Sequence, residues 1–246
     1  MAVHDFTSQR LFVDHPLAAG TRVPCTPEQA SYLRGVLRLS EGDEILVFNG
    51  RDGEWRARLA EQGKRGAALE AMALARPQVG GPDLHYLFAP LKRARLDYMV
   101  QKATEMGASR LAPVLTRHTV AERVNLGRMR ANAIEAAEQC GILRLPDVAE
   151  PVALPALLET WDASRALIFC DEGAEQANPL VALGALRPGP LAVLIGPEGG
   201  FSPDEREMIR ALPQATAISL GPRIMRADTA AVAALALVNA VLGDWR

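Results

Sequence analysis

The chain has 246 residues, 49% of them apolar, with 27 Lys and Arg against 29 Asp and Glu. This composition excludes a disordered chain and suits one large domain or two modest ones. Three cysteines (Cys25, Cys140, Cys170) without C-x-x-C spacing argue against a disulfide framework and a structural zinc site. The longest apolar run near the end, Ala230 to Leu242, contains Asn239 and is too short to span a bilayer. The first ten residues carry no signal-peptide core, so the expectation is a cytoplasmic protein with no membrane partner. Charge is segregated: residues 1–82 balance, 83–130 carry nine basic against four acidic groups, and 131–246 carry eight against fifteen. The basic block reads either as a phosphate-facing patch or as solvated helix faces.

In chain order, Arg10–Val13, Glu44–Phe48 and Glu54–Leu59 read as short strands separated by turns at Glu41–Asp43 and Asn49–Gly53. One helix is expected from Thr26 to about Leu39, with Thr26 as cap and Pro27 at its first position. Short strands closed by tight turns suggest a small barrel over residues 1–75. Residues 76–82, with two prolines and two consecutive glycines, are the linker candidate. From residue 83 the pattern becomes strand–helix alternation: Leu84–Ala89, a helix Arg93–Met106 ended by Gly107, and Leu111–Leu115. A helix from an Asn125 cap to Gln139 follows, then buried strands at Ala166–Cys170, Leu191–Ile195 and Ala217–Leu220. This half is α/β. The final helix, Thr229 to Leu242, is apolar around most of its circumference and belongs in a core or an interface. In the Asn125–Gln139 helix, Arg128 and Arg130 precede Glu135 and Glu138, the reverse of what the helix dipole favours. Packing explains it, or else the arginines and the helix start face an anion together.

Two loops carry the chemistry. In Leu191–Glu205 a strand runs into Gly196-Pro197-Glu198-Gly199-Gly200, followed by a helix start with Ser202 as cap, Pro203 at N1 and Glu205 closing a capping box. Three glycines at a strand's carboxyl end let a ligand approach the backbone. In Ala217–Ala230 a strand meets Gly221, then Arg223, Arg226, Asp228 and Thr229 precede the apolar helix. Asp228 or Thr229 reads as that helix's cap, and Asp228 as the holder of Arg226. The chain has no Walker A motif, G-x-G-x-x-G, G-x-S-x-G or H-E-x-x-H. Its four histidines (His4, His15, His85, His118) are widely spaced, and no metal site is expected.

Leu194-Ile-Gly-Pro-Glu-Gly-Gly-Phe-Ser-Pro-Asp-Glu205 and Leu220-Gly-Pro-Arg-Ile-Met-Arg-Ala-Asp-Thr-Ala230 together resemble the RsmE family of 16S ribosomal RNA (uridine-N3) methyltransferases. The likeness extends to Arg10–Val13, Tyr32–Leu39, Gly42-Asp43, Val100–Gly107, Pro113 and Ala136–Gln139. It implies an α/β SPOUT domain (83–246) with a C-terminal trefoil knot, preceded by a small PUA-like RNA-binding β-barrel (1–75). A knot is rare enough that no spacing argument would suggest one. It implies a homodimer, S-adenosylmethionine as cofactor, and the small-subunit 16S rRNA as partner. The chain departs from the family's pattern at Asp228 (usually Glu), at Arg117-His118 (usually Glu-Arg) and at Gly141-Ile142 (usually Gly-Arg), with Arg144 the nearest substitute.

By this resemblance the cofactor would sit against Leu194, Ile195, Gly196, Pro197, Glu198, Gly199 and Gly200 of the first loop. From the second loop it would meet Leu220, Gly221, Ile224, Met225, Arg226, Thr229 and Ala230. Uridine N3 must lose its proton before it attacks, and a guanidinium suits the charge that spreads to the flanking carbonyls. Arg226 is the candidate, oriented by Asp228; no general base stands out, and a Cys140 adduct is unnecessary for attack by N3. RNA contacts are expected from Arg10, Arg34 and Arg38 of the barrel, with Arg34 and Arg38 one helical turn apart, and from Lys92, Arg93, Lys102, Arg117 and Arg128. Open alternatives are methylation of another RNA position such as a ribose 2′-OH, a non-catalytic RNA-binding assembly factor, and a small-molecule nucleotide-binding protein.

Overall fold

The computed structural model describes residues 8–62, 66–121, 123–174 and 178–245, and His4 lies outside them. They form two compact units: one runs up to Gly80 and includes Ala137–Leu145, the other comprises Gly81–Ala136 and the chain from Pro146 onward.

In the first unit, strands β1 (Arg10–Phe12), β2 (Arg22–Pro24), β3 (Glu44–Phe48), β4 (Glu54–Gln62) and β5 (Gly66–Arg76) pair in the order β1-β3-β4-β5-β2. β1 and β2 stay at the two edges, so the sheet is a half-barrel and not the closed barrel expected. β3 is continuously apolar because it is buried on both faces: Ile45 and Val47 join Leu11, Leu59 and Leu69 in one core, while Phe48 packs with Ala137 and Leu143. β5 was not anticipated. Its run Gly66-Ala-Ala-Leu-Glu-Ala-Met-Ala-Leu-Ala-Arg76 favours helix by propensity, and pairing with β4 along its whole length overrides that. Helix α1 (Pro27–Ser31) starts at the Thr26 cap, whose hydroxyl accepts from Gln29 N while the Gln29 side chain returns the bond. It ends early: Tyr32–Val36 widen into a π-turn, and Arg38 sits at φ 59°. Arg34 and Arg38 therefore do not share a helix face, and Arg34 donates to the Gly66 carbonyl.

The polar centre of this unit is Glu54, whose side chain is 1% exposed. Arg10 Nε donates to it at 2.9 Å, Arg76 Nε and Nη2 at 2.7 and 2.8 Å, and Arg76 Nη2 also reaches the Gly141 carbonyl at 2.8 Å. Arg10 is thus buried and committed, which removes it from the RNA-contact set; Arg76 ends β5 and is no part of a linker. Burial pulls the Glu54 carboxyl upward, but the two guanidiniums prevail and hold it below the ordinary 4.5.

In the second unit, seven parallel strands, β6 (Leu84–Phe88), β7 (Arg110–Leu115), β8 (Asp147–Val148), β9 (Val152–Ala153), β10 (Ala166–Cys170), β11 (Leu191–Ile195) and β12 (Ala215–Ile218), form a sheet. Its order is β12-β10-β11-β6-β7-β8, with β9 also on β7. Helices cover both faces. α2 (Arg93–Glu105), α5 (Pro179–Gly184) and α7 (Ala227–Val241) pack on Tyr86, Phe88 and Val193; α4 (Leu154–Glu159) and α6 (Pro203–Ala211) pack on Leu87, Phe169 and Leu194. α3 (Leu126–Cys140) begins at Asn125, whose side chain accepts from Arg128 N. The reversed charges of α3 find outside partners: Arg128 binds Asp97, and Glu138 accepts the Phe12 N–H of β1. No helix among the described residues is long and apolar enough to cross a membrane.

Glu54→Ala should destabilise the protein by about 3–5 kcal/mol, since it leaves two buried guanidiniums uncompensated, as measured by urea unfolding at pH 7. Because the folded carboxyl titrates below its unfolded value, the stability it contributes is present above about pH 4.5 and drains away as pH falls through the folded value. An Ala variant as stable as the parent would remove this centre from the account.

Candidate active site

Three neighbouring strands, β11, β10 and β12, end on the same side of the sheet. The residues that follow them, with Ala227 and Ala230 of α7, enclose a cavity of about 340 Å³. Ligands of open α/β sheets bind beyond the carboxyl ends of strands for this reason: loops converge there while the strands fix their roots. The first loop closes on itself through Gly200 N donating to Pro197 O at 2.9 Å. At Gly196 a Cβ would lie 2.9 Å from the Phe201 ring, so only glycine lets that ring fold back under the loop, where it meets Phe169 edge-on. The second loop turns at Gly221, φ 99°, a conformation that side chains resist.

The start of α6 is pinned as its sequence indicates. Ser202 Oγ accepts from Glu205 N, and Glu205 Oε2 accepts from Ser202 N at 2.9 Å. Glu205 Oε1 accepts from Arg117 N at 2.7 Å, which fastens the loop after β7 to the glycine loop. His118 lies against it as well: its Nδ1, which must carry the proton, donates to the Gly200 carbonyl at 3.1 Å, and its Cβ would touch any Cβ at Gly199.

Arg95 joins the two loops. From the first turn of α2 its Nε and Nη2 donate to Asp228 Oδ2 and Oδ1 at 3.1 and 2.9 Å, and its Nη1 donates to Glu198 Oε1. Hydrogen bonds from Arg95 hold the Asp228 carboxyl below the ordinary aspartate range, and the two carboxylates raise the guanidinium in turn. Asp228 therefore belongs to Arg95 and does not orient Arg226, as the sequence suggested. Positions two apart on a helix do not face each other. Nor does Asp228 cap α7: the cap position is Arg226 itself, which contributes no side-chain bond to the helix.

Of the residues expected at the cofactor, Ile195, Gly196, Pro197, Glu198, Gly199, Gly200, Leu220, Gly221, Ile224, Met225 and Ala230 line the cavity. Leu194 points into the core beneath it, and Arg226 and Thr229 lie outside the lining. Cys170, Asp171, Glu172, Phe201, Ser219, Arg223 and Ala227 line it without having been assigned to the cofactor. Asp171 and Glu172 directly follow the apolar run of β10; that signal becomes visible only once β10 is known to lie between β11 and β12. The Asp171 carboxylate is buried and occupied by Arg210 Nη2 at 2.7 Å and Gly173 N at 3.0 Å. Arg95, within the basic block, was also missed, because both its partners lie more than 100 residues away. Cys140 does not line the cavity. Among the RNA candidates, Lys92, Arg93, Arg117, Arg38 and Arg128 are exposed, whereas Lys102 is half-buried and bound to Glu105 at 2.7 Å. No group of three or more potential metal ligands occurs among the described residues.

Residues 80–239 match the model of an RNA methyltransferase domain, and residues 26–71 match an RNA methyltransferase PUA domain. A ribosomal RNA small subunit methyltransferase E from Synechocystis is 31% identical over 89% of this chain and 73% of its own length. The chain belongs to the ribosomal RNA small subunit methyltransferase E family. A second member, from Rickettsia conorii, is 28% identical over 94% of both chains. A Legionella pneumophila protein whose structure holds bound SAM superimposes with a TM-score of 0.84 at 26% identity, covering 96% of this chain and 99% of that one. The Neisseria gonorrhoeae family member superimposes at 0.87 with 24% identity over 97% of this chain and 100% of its own, which shows the same fold. Of the positions that the sequence reading set apart, Asp228 takes Arg95 as its partner, and His118 braces the glycine loop. The third, Gly141-Ile142, lies in the first unit, where the Gly141 carbonyl accepts from Arg76.

Arg95→Ala should cost no more than about 1 kcal/mol of global stability, because the guanidinium is partly exposed. Amide hydrogen exchange should nevertheless quicken several-fold at residues 198–200 and 227–230, because the two loops lose their shared anchor. Unchanged exchange in both segments would show that Arg95 does not hold them.

Proposed function

We propose that this protein transfers a methyl group from S-adenosylmethionine to N3 of a uridine in the 16S rRNA of the small ribosomal subunit. The observation that carries the reading is the cavity beyond β10, β11 and β12 in a member of this family. Its wall suits the cofactor: glycine backbone at 196, 199, 200 and 221, apolar surface from Ile195, Leu220, Met225 and Ala230, and carboxylates at Glu172 and Glu198. When bound, S-adenosylmethionine supplies an electrophilic methyl group on a sulfonium. Backbone groups of Gly196, Gly199, Leu220, Ile224 and Met225 would hold the adenosine part, above the Phe201 ring packed against Gly196.

The protein's contribution is positioning and charge stabilisation. Arg226 is exposed, with no ion pair among the described residues, and it stands in the chain between Met225 and Ala227 of the lining, free to meet the uridine carbonyls as N3 loses its proton. Arg95 and Asp228 act behind it, setting the start of α7 from which Arg226 projects. Exposed cations at 38, 92, 93 and 117 neutralise RNA phosphates, while Arg128 is committed to Asp97, and the half-barrel supplies a second RNA surface. In this reading the segment carrying both loops is threaded as a trefoil knot. The half-exposed outer side of α7, at Val232, Ala233, Ala236 and Leu237, meets a second copy of the chain in a homodimer, and the enzyme works in the cytoplasm.

Arg226→Ala should lower the methylation rate on small-subunit RNA by 100-fold or more, by the scale of losing one aimed donor. Affinity for S-adenosylmethionine, followed by calorimetry, should stay within a few-fold. Turnover equal to the parent's would reject the assignment of Arg226.

A further inference from the structure

A second cavity of about 570 Å³, within the range of small-ligand clefts, opens beside the first turn of α2 and the start of α3. Its rim carries four cations, Lys92, Arg93, Arg123 and Arg128, and one carboxylate, Asp97. Arg128 satisfies that carboxylate with two bonds, at 2.8 and 2.6 Å, and Asn132 adds a third at 2.8 Å. Asp97 is thereby neutralised. Lys92, Arg93 and Arg123 make no ion pair among the described residues, although most arginines around them are matched to carboxylates. The floor is apolar, from Leu91, Leu96 and Met129. No aromatic ring lines it, so the cleft has no stacking platform for reading a base.

Like charges crowded around an apolar floor repel one another unless an anion enters. Among the described residues the cleft has a surplus of three positive charges over an apolar base, which matches a phosphodiester with its attached sugar. Position narrows the choice further: Lys92 and Arg93 reach the cleft from the same turn of α2 whose Arg95 grips Glu198 and Asp228 at the other cavity. We propose that the cleft holds the backbone of a single-stranded RNA nucleotide neighbouring the one whose base enters the methyl-transfer cavity. The inference rests on the methyltransferase reading for the second half of that statement only. Contact is with phosphate and ribose, and it tolerates any base.

The test uses the full chain and a fluorescein-labelled single-stranded oligoribonucleotide, titrated from 50 to 300 mM salt, with Lys92→Ala, Arg93→Ala, Arg123→Ala and the triple variant. Each single substitution should weaken binding several-fold and reduce the slope of log K against log salt by about 0.7; the triple variant should lose roughly 2 units of slope by the same rule. The losses should be equal for a scrambled RNA sequence, with calorimetric affinity for S-adenosylmethionine unchanged as proof of folding. A triple variant with the parent's affinity and slope overturns the proposal. So does a result in which the substitutions abolish binding of free uridine monophosphate and leave the oligoribonucleotide unaffected, since that marks a small-anion site. A parent protein indifferent to S-adenosylmethionine would sink the enzymatic reading, while the salt slopes would still decide the cleft.

Discussion

The guanidinium of Arg95 ties together three pieces of chain that are far apart in sequence: the first turn of α2, the glycine loop at Glu198 and the start of α7 at Asp228. Its planar fork lets one side chain grip one carboxylate with two donors and a second with a third, a geometry that lysine does not offer. Residues of both loops line the cavity, and this junction ties the one to the start of the helix that follows the other. The remaining supports lie behind the walls. Glu205 fixes the root of the glycine loop through Ser202 and Arg117, and His118 props its far side.

The same economy shapes the charges. Net charge is close to balance, yet the carboxylates are distributed so that Arg10, Arg76, Arg128, Arg165 and Arg210 are each bound to an acidic partner. What remains unpaired among the described residues therefore carries information: Lys92, Arg93 and Arg123 converge on a cleft whose one described carboxylate, Asp97, is already taken by Arg128. In the first unit the opposite holds: Glu54 with Arg10 and Arg76 is closed on itself, a structural centre with no cation to spare.

Legibility in the sequence followed the range of the interactions. Features set by a few adjacent residues were readable: the Thr26 cap, the Ser202 capping box, the glycine-bearing bends after β11 and β12, and the amphipathic α2. Features set by distant pairing were not. β5 is written in alanines and leucines that favour helix, and pairing with β4 on one side and β2 on the other makes it a strand. Tyr32–Val36 widen into a π-turn where the pattern continues as α-helix, which rotates Arg38 away from Arg34. Arg226 and Asp228 look paired because they are close in sequence, but the true partner of Asp228 lies 133 residues earlier. Arg10 looked like a surface cation, and its burial follows from Glu54, 44 residues on.

The candidate cofactor cavity requires backbone bare of side chains at Gly196, where the chain folds over Phe201. Calorimetric titration of S-adenosylmethionine into the parent and into Gly196→Ala tests this most directly. The account predicts saturable binding by the parent and at least a tenfold weaker affinity in the variant, because the added methyl displaces the ring and lifts the loop. No binding by the parent at millimolar cofactor, or equal affinity in the two proteins, would contradict it.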